Sequence, residues 1–188
     1  MFNGIITNTG TIHKISKHKN DCVIDIKSKI NFKKNEIGSS VSCSGACLTL
    51  EKFNKNIYSF YLSKETLKKT IFKFSKKKDI INIEKSLLYG DSVSGHFVQG
   101  HVDTIALVDK ILVLGKSWLV NFKINNKYKK YLVHKGSITI NGVSLTIVKI
   151  LKSGFQISIV PHTLKLTNLV LLNRKDFVNV EFDVLGKY

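Results

Sequence analysis

The stretch Ser44-Gly45-Ala46-Cys47-Leu48-Thr49-Leu50 returns later in the chain as Asn141-Gly142-Val143-Ser144-Leu145-Thr146-Ile147. The offset is 97 positions, and without a gap it also sets Ser40 on Ser137, Thr66-Leu67 on Thr163-Leu164, Asp79 on Asp176, Asn82 on Asn179 and Glu84 on Glu181. Solenoid repeats run to roughly 20 to 50 residues, so a period of this length predicts two copies of one whole small domain. The boundary is expected near Tyr89-Gly90-Asp91-Ser92-Val93-Ser94, dividing the chain into 1–92 and 93–188. A unit of this size buries a limited fraction of its surface, so each half is expected to lean on the other or on a second subunit. The most informative mismatch is Cys47 against Ser144: two related sites, of which one carries a thiol. A position that accepts serine in one copy is a poor candidate for deep apolar core in the other.

Within each copy the pattern is short β-branched runs separated by turns. The first half predicts strands over Gly4 to Ile15, with a bulge at Gly10, then Cys22 to Lys27, Ser40 to Ser44, Cys47 to Phe53, Ile57 to Leu62 and Ile80 to Glu84. Ser63 is placed as the N-cap of a helical turn at Lys64-Glu65-Thr66-Leu67. The second half predicts Phe97 to Val108, Trp118 to Ile124, Ser137 to Asn141, Ser144 to Leu151, Phe155 to Val160 and Phe177 to Asp183, with Asn125 to Leu132 as the longer helix and Pro161 just after a strand. Six evenly spaced strands per half and little helix predict an all-β protein of two small closed Greek-key barrels, which leave no exposed sheet edge.

The formal charge is +17, yet only Arg174 among 30 basic residues is an arginine, and the lysines are scattered through both halves. Base readout and planar phosphate clamping favour arginine, and no interleaved aromatic platform is evident, so nucleic acid is not expected as a partner. The opening Met1-Phe2-Asn3-Gly4-Ile5-Ile6 lacks a basic segment followed by an apolar run, and no stretch of about 18 apolar residues occurs, so neither a secretory leader nor a membrane span is expected. Cys22, Cys43 and Cys47 are too few and too irregular for a disulfide framework or a zinc site, which points to a reducing, cytoplasmic setting.

The densest polar cluster is Gly95-His96-Phe97-Val98-Gln99-Gly100-His101-Val102-Asp103. A metal site on His96, His101 and Asp103 is the minor reading, because no fixed histidine pair or cysteine partner accompanies them. His101 is better motivated as a proton-transfer group, since imidazole titrates near neutral pH. Cys47 reads either as a small buried hydrophobe or as a reactive group at a barrel rim. Ser40, Lys135, Thr146, Thr163 and Asp183 read equally well as solvated strand residues.

Taken together, these motifs resemble riboflavin synthase of the lumazine-dismutating type, over practically the whole length. The resemblance is carried by Met1 to Ile6 (with Asn3 where the family usually has threonine), Gly45-Ala46-Cys47-Leu48-Thr49, Lys64-Glu65-Thr66, Gly95 to Asp103, Lys135-Gly136-Ser137, Asn141 to Thr146 and Val160-Pro161-His162-Thr163-Leu164. It implies two six-stranded lumazine-binding barrels and a reaction in which two molecules of 6,7-dimethyl-8-ribityllumazine exchange a four-carbon unit. The products are riboflavin and an amino-ribitylamino-pyrimidinedione, and no metal or other cofactor is required.

By the same resemblance Cys47 and His101 carry the chemistry, Ser40 and Thr146 position or polarise the rings, and Asp183 assists. Substrate contacts are implied at Gly4, Ile5 and Ile6; at Cys47, Leu48 and Thr49; at Tyr61, Leu62, Ser63, Lys64, Glu65 and Thr66; and at Gly100, His101 and Val102. The set continues with Lys135, with Ser144, Leu145 and Thr146, and with Ile159, Val160, Pro161, His162, Thr163 and Leu164. Family members pair the N-terminal barrel of one subunit with the C-terminal barrel of its neighbour in a homotrimer, and lumazine synthase is a further candidate partner. They usually continue past Gly186-Lys187-Tyr188 into a helix that holds the trimer, so either this sequence is cut short or a weaker assembly is expected of it. The competing reading is a non-catalytic lumazine- or flavin-binding antenna protein of the same fold; Cys47, His101 and Ser40 favour the enzyme.

Overall fold

The computed structural model describes every residue from Met1 to Tyr188. Alternating apolar positions in the first copy form β1 (Asn8–Lys17), β2 (Cys22–Ser28), β3 (Ser40–Cys43), β4 (Ala46–Asn54), β5 (Ile57–Leu62) and β6 (Ile80–Lys85). Those of the second form β7 (Thr104–Leu114), β8 (Ser117–Lys123), β9 (Ser137–Ile140), β10 (Val143–Leu151), β11 (Gly154–Ile159) and β12 (Phe177–Phe182). Each set closes into an antiparallel barrel with the same circuit, β1-β2-β5-β4-β3-β6 and β7-β8-β11-β10-β9-β12. Inward positions fill separate cores: Ile24, Ile26, Leu50 and Phe60 in the first, and Val120, Phe122, Phe155 and Ile157 in the second. Burying each such side chain contributes about 1.5–3 kcal/mol, and this offsets the ordering of short strands that are marginal alone.

The bulges fall in matched pairs. Register shifts occur at Ile12/Lys14 and Leu50/Lys52, and again at Val108/Lys110 and Ile147/Lys149. The bulge expected at Gly10 is therefore three residues away. Gly10 pairs in register with Ser28 and Ile81, and it is glycine because a Cβ there would lie 2.5 Å from Ile26 Cγ2.

Helix is confined to short pieces. Helix α1 (Lys64–Lys69) is N-capped by Ser63, whose side chain accepts a hydrogen bond from the Thr66 N–H, as expected. Its mate is α2 (Pro161–Leu166): Pro161, just after β11 as expected, also opens this helix, and in the first turn its missing N–H has no partner to lose. The longer helix expected over Asn125 to Leu132 is only a 3-10 stretch, Asn126–Tyr131, started by Asn125 Oδ1 accepting from the Lys127 N–H.

The largest departure from the sequence reading concerns the first strand of each half. These strands begin at Asn8 and Thr104, not at Gly4 and Phe97, because the residues before them cross to the other barrel. The two crossing straps pair with each other, Phe2 N–H to Val98 O at 2.7 Å and Val98 N–H to Phe2 O at 3.1 Å. Each then docks twice. The Asn3 and Gly4 N–H groups donate to the two carboxylate oxygens of Glu84 at 2.7 and 3.1 Å, while Gln99 and Gly100 donate to those of Glu181 at 2.7 and 2.9 Å. Across the junction, the Gly4 carbonyl accepts from the Ser144 N–H, and the Gly100 carbonyl accepts from the Cys47 N–H, both at 2.8 Å. Ile6 is consequently part of the C-terminal core, and Val102 packs on the N-terminal one.

A second symmetric contact ties the barrels together. The Asn82 amide accepts from the Asn168 N–H at 2.7 Å and donates to the Asn141 carbonyl at 2.9 Å. Asn179 repeats this with the Ile71 N–H at 2.8 Å and the Ser44 carbonyl at 2.7 Å. Buried amides pair all their hydrogen-bonding groups only in one relative placement of the barrels, which fixes that placement.

Candidate functional site

Strand β4, helix α1 and the second strap meet around Cys47. They enclose an open cavity of about 270 Å³ that is lined by Cys47, Glu65, Thr66, Gly100, His101 and Val102, among others. Cys47 follows the tight Ser44-Gly45 turn, in which both residues have positive φ, and this turn sets the thiol at the barrel mouth, half-buried. Gly100 is required beneath it, because a Cβ would come within 2.6 Å of Cys47 Cβ. Thr66 is held by Ser63, with their hydroxyl oxygens 3.1 Å apart, and its carbonyl accepts from the Thr70 hydroxyl at 2.7 Å. His101 is exposed on the strap and faces the same space. The other cysteines lie in the core, where burial pushes the Cys22 and Cys43 thiols above their ordinary values and favours the unreactive protonated form.

The C-terminal barrel is built the same way around Ser144. Gly4 lies beneath it, with a Cβ there only 2.7 Å from Ser144 Cβ, and Ile5 and Ile6 follow as His101 and Val102 do in the other strap. Helix α2 supplies Thr163, whose carbonyl accepts from the Thr167 hydroxyl at 2.8 Å. The site residues inferred from sequence thus sort into two equivalent groups. Cys47, Leu48, Thr49, Tyr61 to Thr66 and Gly100 to Val102 belong to the first. Gly4 to Ile6, Ser144 to Thr146 and Ile159 to Leu164 belong to the second. Leu48, Leu62, Ile6, Ile159 and Leu164 turn their side chains into the cores.

Several candidates lie outside the Cys47 cavity. Ser40 stands opposite Thr49 in the β3–β4 register but lines a separate, larger cavity of about 640 Å³ beside Glu84 and Lys85. Thr146 stands opposite Ser137 on the C-terminal barrel, and Lys135 is exposed nearby in a left-handed conformation with φ of 66°. Asp183 caps the last 3-10 turn by accepting from the Leu185 N–H at 3.1 Å. The trio considered for a metal disperses: His96 bonds Ser144 and Thr139, Asp103 takes the Phe182 N–H and Lys187, and His101 faces the Cys47 cavity.

No motif of the family resemblance includes Glu84 or Glu181, the clamps that hold the straps. Their signal was present: one acid recurring in the apolar runs Ile81-Asn82-Ile83-Glu84 and Val178-Asn179-Val180-Glu181. Burial pushes the Glu84 carboxyl up to about 7, against the main-chain amides of Asn3, Gly4 and Ile5 and the terminal ammonium, all of which pull it down. Glu181 is raised for the same reason.

A lumazine binding domain model matches the chain twice, over residues 3–86 and 99–183. The riboflavin synthase of Photobacterium leiognathi is 38% identical over 189 positions, covering 100% of this chain and 87% of that one. The chain belongs to the riboflavin synthase family. Within the family, the riboflavin synthase of Bacillus subtilis (strain 168) is 35% identical over 100% of this chain and 87% of its own length. Among solved structures, the crystal structure of LumP complexed with riboflavin superposes with a TM-score of 0.87 at 26% identity, over 97% of this chain and 99% of that one. The structure of LumP complexed with 6,7-dimethyl-8-(1'-D-ribityl) lumazine gives 0.84 at 25% identity, with the same coverage.

Proposed function

We propose that the chain is a riboflavin synthase that binds one 6,7-dimethyl-8-ribityllumazine at each barrel mouth and transfers a four-carbon unit from one to the other. The observation that carries this reading is the meeting of the Cys47 thiol and the His101 imidazole in one open cavity at the mouth of a barrel whose twin presents Ser144 instead. The reaction has no net oxidation: carbons leaving one heterocycle rebuild the other, so protons and a nucleophile are what the protein must supply. Cys47 adds to an electron-poor ring carbon or directs the water that does, and His101 moves protons at the adjacent methyl group. Thr66, Thr163 and the main chain of Leu62 and Ile159 pair the polar edges of the rings.

A cavity of about 270 Å³ is small beside the roughly 300–1,000 Å³ of ordinary ligand sites. A second copy would close it, and the reading therefore includes a homotrimer in which the N-terminal barrel of one subunit faces the C-terminal barrel of the next. In that arrangement Thr146, Lys135 and Asp183 reach the reacting pair from the neighbouring chain. Action in the cytoplasm and a contact with lumazine synthase complete the reading; no helix is long and apolar enough to cross a membrane.

The test is to mix the chain with 6,7-dimethyl-8-ribityllumazine alone and follow both pigments across a range of protein concentrations. One riboflavin formed per two lumazines consumed, with specific activity rising with concentration, is the expected result. Binding without turnover in the assembled protein would favour an antenna-type binding protein.

A further inference from the structure

The two barrel mouths differ in one contact that the repeat supplies only once. Ser144 Oγ lies 2.7 Å from His96 Nδ1, and the other ring nitrogen, Nε2, lies 3.1 Å from Thr139 Oγ1. His96 is buried, and Thr139 stands directly opposite Ser144 in the β9–β10 register. In the N-terminal barrel Cys47 replaces Ser144, and Ser42, standing opposite Cys47, replaces Thr139. The Ser42 hydroxyl is buried and has no hydrogen-bonding partner. Both barrels therefore carry the inner hydroxyl, but only the C-terminal one has an imidazole bridging it to the mouth.

A neutral imidazole offers one donor and one acceptor nitrogen, and a hydroxyl one donor and two acceptor directions. Burial favours the neutral ring of His96, while the Asp183 carboxylate acts in the opposite sense. If Nδ1–H donates to Ser144, the serine keeps its own proton to give to a ligand; if Nδ1 accepts, the serine oxygen is left as an acceptor. In either tautomer the ring takes up one direction of the hydroxyl and prevents it from rotating freely. We propose that His96 is a positioning residue of the C-terminal pocket, holding the Ser144 hydroxyl in a fixed direction against the heterocycle bound there. The inference rests on the riboflavin synthase reading and deepens it. Two identical substrate molecules must take different roles, and a fixed hydroxyl in one pocket against a thiol in the other distinguishes them.

Substitutions at the ring separate its two contacts, because an asparagine amide can stand in for Nδ1 and a glutamine amide for Nε2. Equilibrium titration with 6,7-dimethyl-8-ribityllumazine, followed by its fluorescence, should resolve two sites per chain in the wild type. His96→Gln is expected to weaken one of them by about tenfold, the loss of one hydrogen bond, and to leave the other unchanged. His96→Asn should restore the weakened site to within about threefold. Ser144→Ala should weaken that same site and make the further change His96→Gln without effect. Equal weakening at both sites, no weakening, or an asparagine variant no better than glutamine would overturn the proposal. Should His96→Gln fail to fold, Thr139→Val frees the ring from its inner side; it should weaken the same site by about threefold, and an unchanged site again overturns the proposal. A wild-type chain that binds no lumazine at all would instead sink the functional reading on which the inference stands.

Discussion

The mouth of the N-terminal barrel and that of the C-terminal barrel share a turn, a strap glycine, a clamping glutamate and a threonine-bearing helix, yet present Cys47 in one and Ser144 in the other. Around the thiol stand Glu65, Thr66 and His101 in an open cavity; behind the serine stands the buried bridge of His96 and Thr139. In the proposed reaction the shared parts hold a planar heterocycle at each mouth, and the differing parts give the two bound molecules different surroundings. The duplication thus varies the side chains at the mouths without changing the backbone that carries them.

The comparison is broken most severely at the thiol. Cys47→Ala should lower kcat by about 10²-fold or more while moving the dissociation constant for lumazine less than about threefold, as measured by steady-state and binding assays. The reciprocal Ser144→Cys should not rescue it, because the second thiol lacks the His101 side of the cavity. If the two losses are equal, the assignment of chemistry to the N-terminal mouth is wrong.

Next in size are the strap glycines. Gly100 has φ of 78° and stands where a Cβ would lie 2.6 Å from Cys47 Cβ, so Gly100→Ala should cost about 2 kcal/mol in denaturant unfolding and impair turnover with it. Gly4→Ala, meeting Ser144 Cβ at 2.7 Å, should cost a similar amount. Gly90 has φ of 94° but open space around it, so Gly90→Ala should cost only about 1 kcal/mol.

The clamp sharpens the comparison through pH. Glu84 is raised from 4.5 to about 7 in the folded chain, so its contribution to stability is fully present below pH 4.5 and is lost as pH rises through about 7. Unfolding free energy should therefore fall by about 2 kcal/mol from this group between pH 5 and 8, and Glu84→Gln should flatten that part of the profile. A slope unchanged in the variant would mean that the clamp is ionised throughout. The smallest contrast lies behind the mouths: Thr139→Val should cost about 1 kcal/mol by releasing His96, whereas Ser42→Ala, removing a hydroxyl with no partner, should be neutral within about 0.5 kcal/mol.

The sequence was legible wherever local pattern sets structure. Strand β5 and the Ser63 cap lie where alternation and capping chemistry put them, and most other strands lie within one or two residues. It was least legible where a segment's partner lies far away. Phe2 to Ile6 and Phe97 to Val102 have the composition of strand, and nothing in their spacing tells which barrel receives them. The same limit applies to the site. Cys47, Thr66 and His101 line one cavity, whereas Ser40, Thr146, Lys135 and Asp183 stand apart from it within one chain. The bridging contacts of His96 are invisible in the sequence, because its partners Thr139 and Ser144 are more than forty positions distant.

The crossed straps also bear on synthesis. A ribosome releases the chain from its N-terminus, and domains ordinarily fold as each emerges. Here the first barrel cannot seat the floor of its thiol pocket until Gly100 and Val102 have been made, and the leading strap cannot seat Ile6 until the second barrel closes around it. The nascent first half thus waits with its mouth unfinished and its leading strap unplaced, and Cys47 acquires its setting only as the second half arrives.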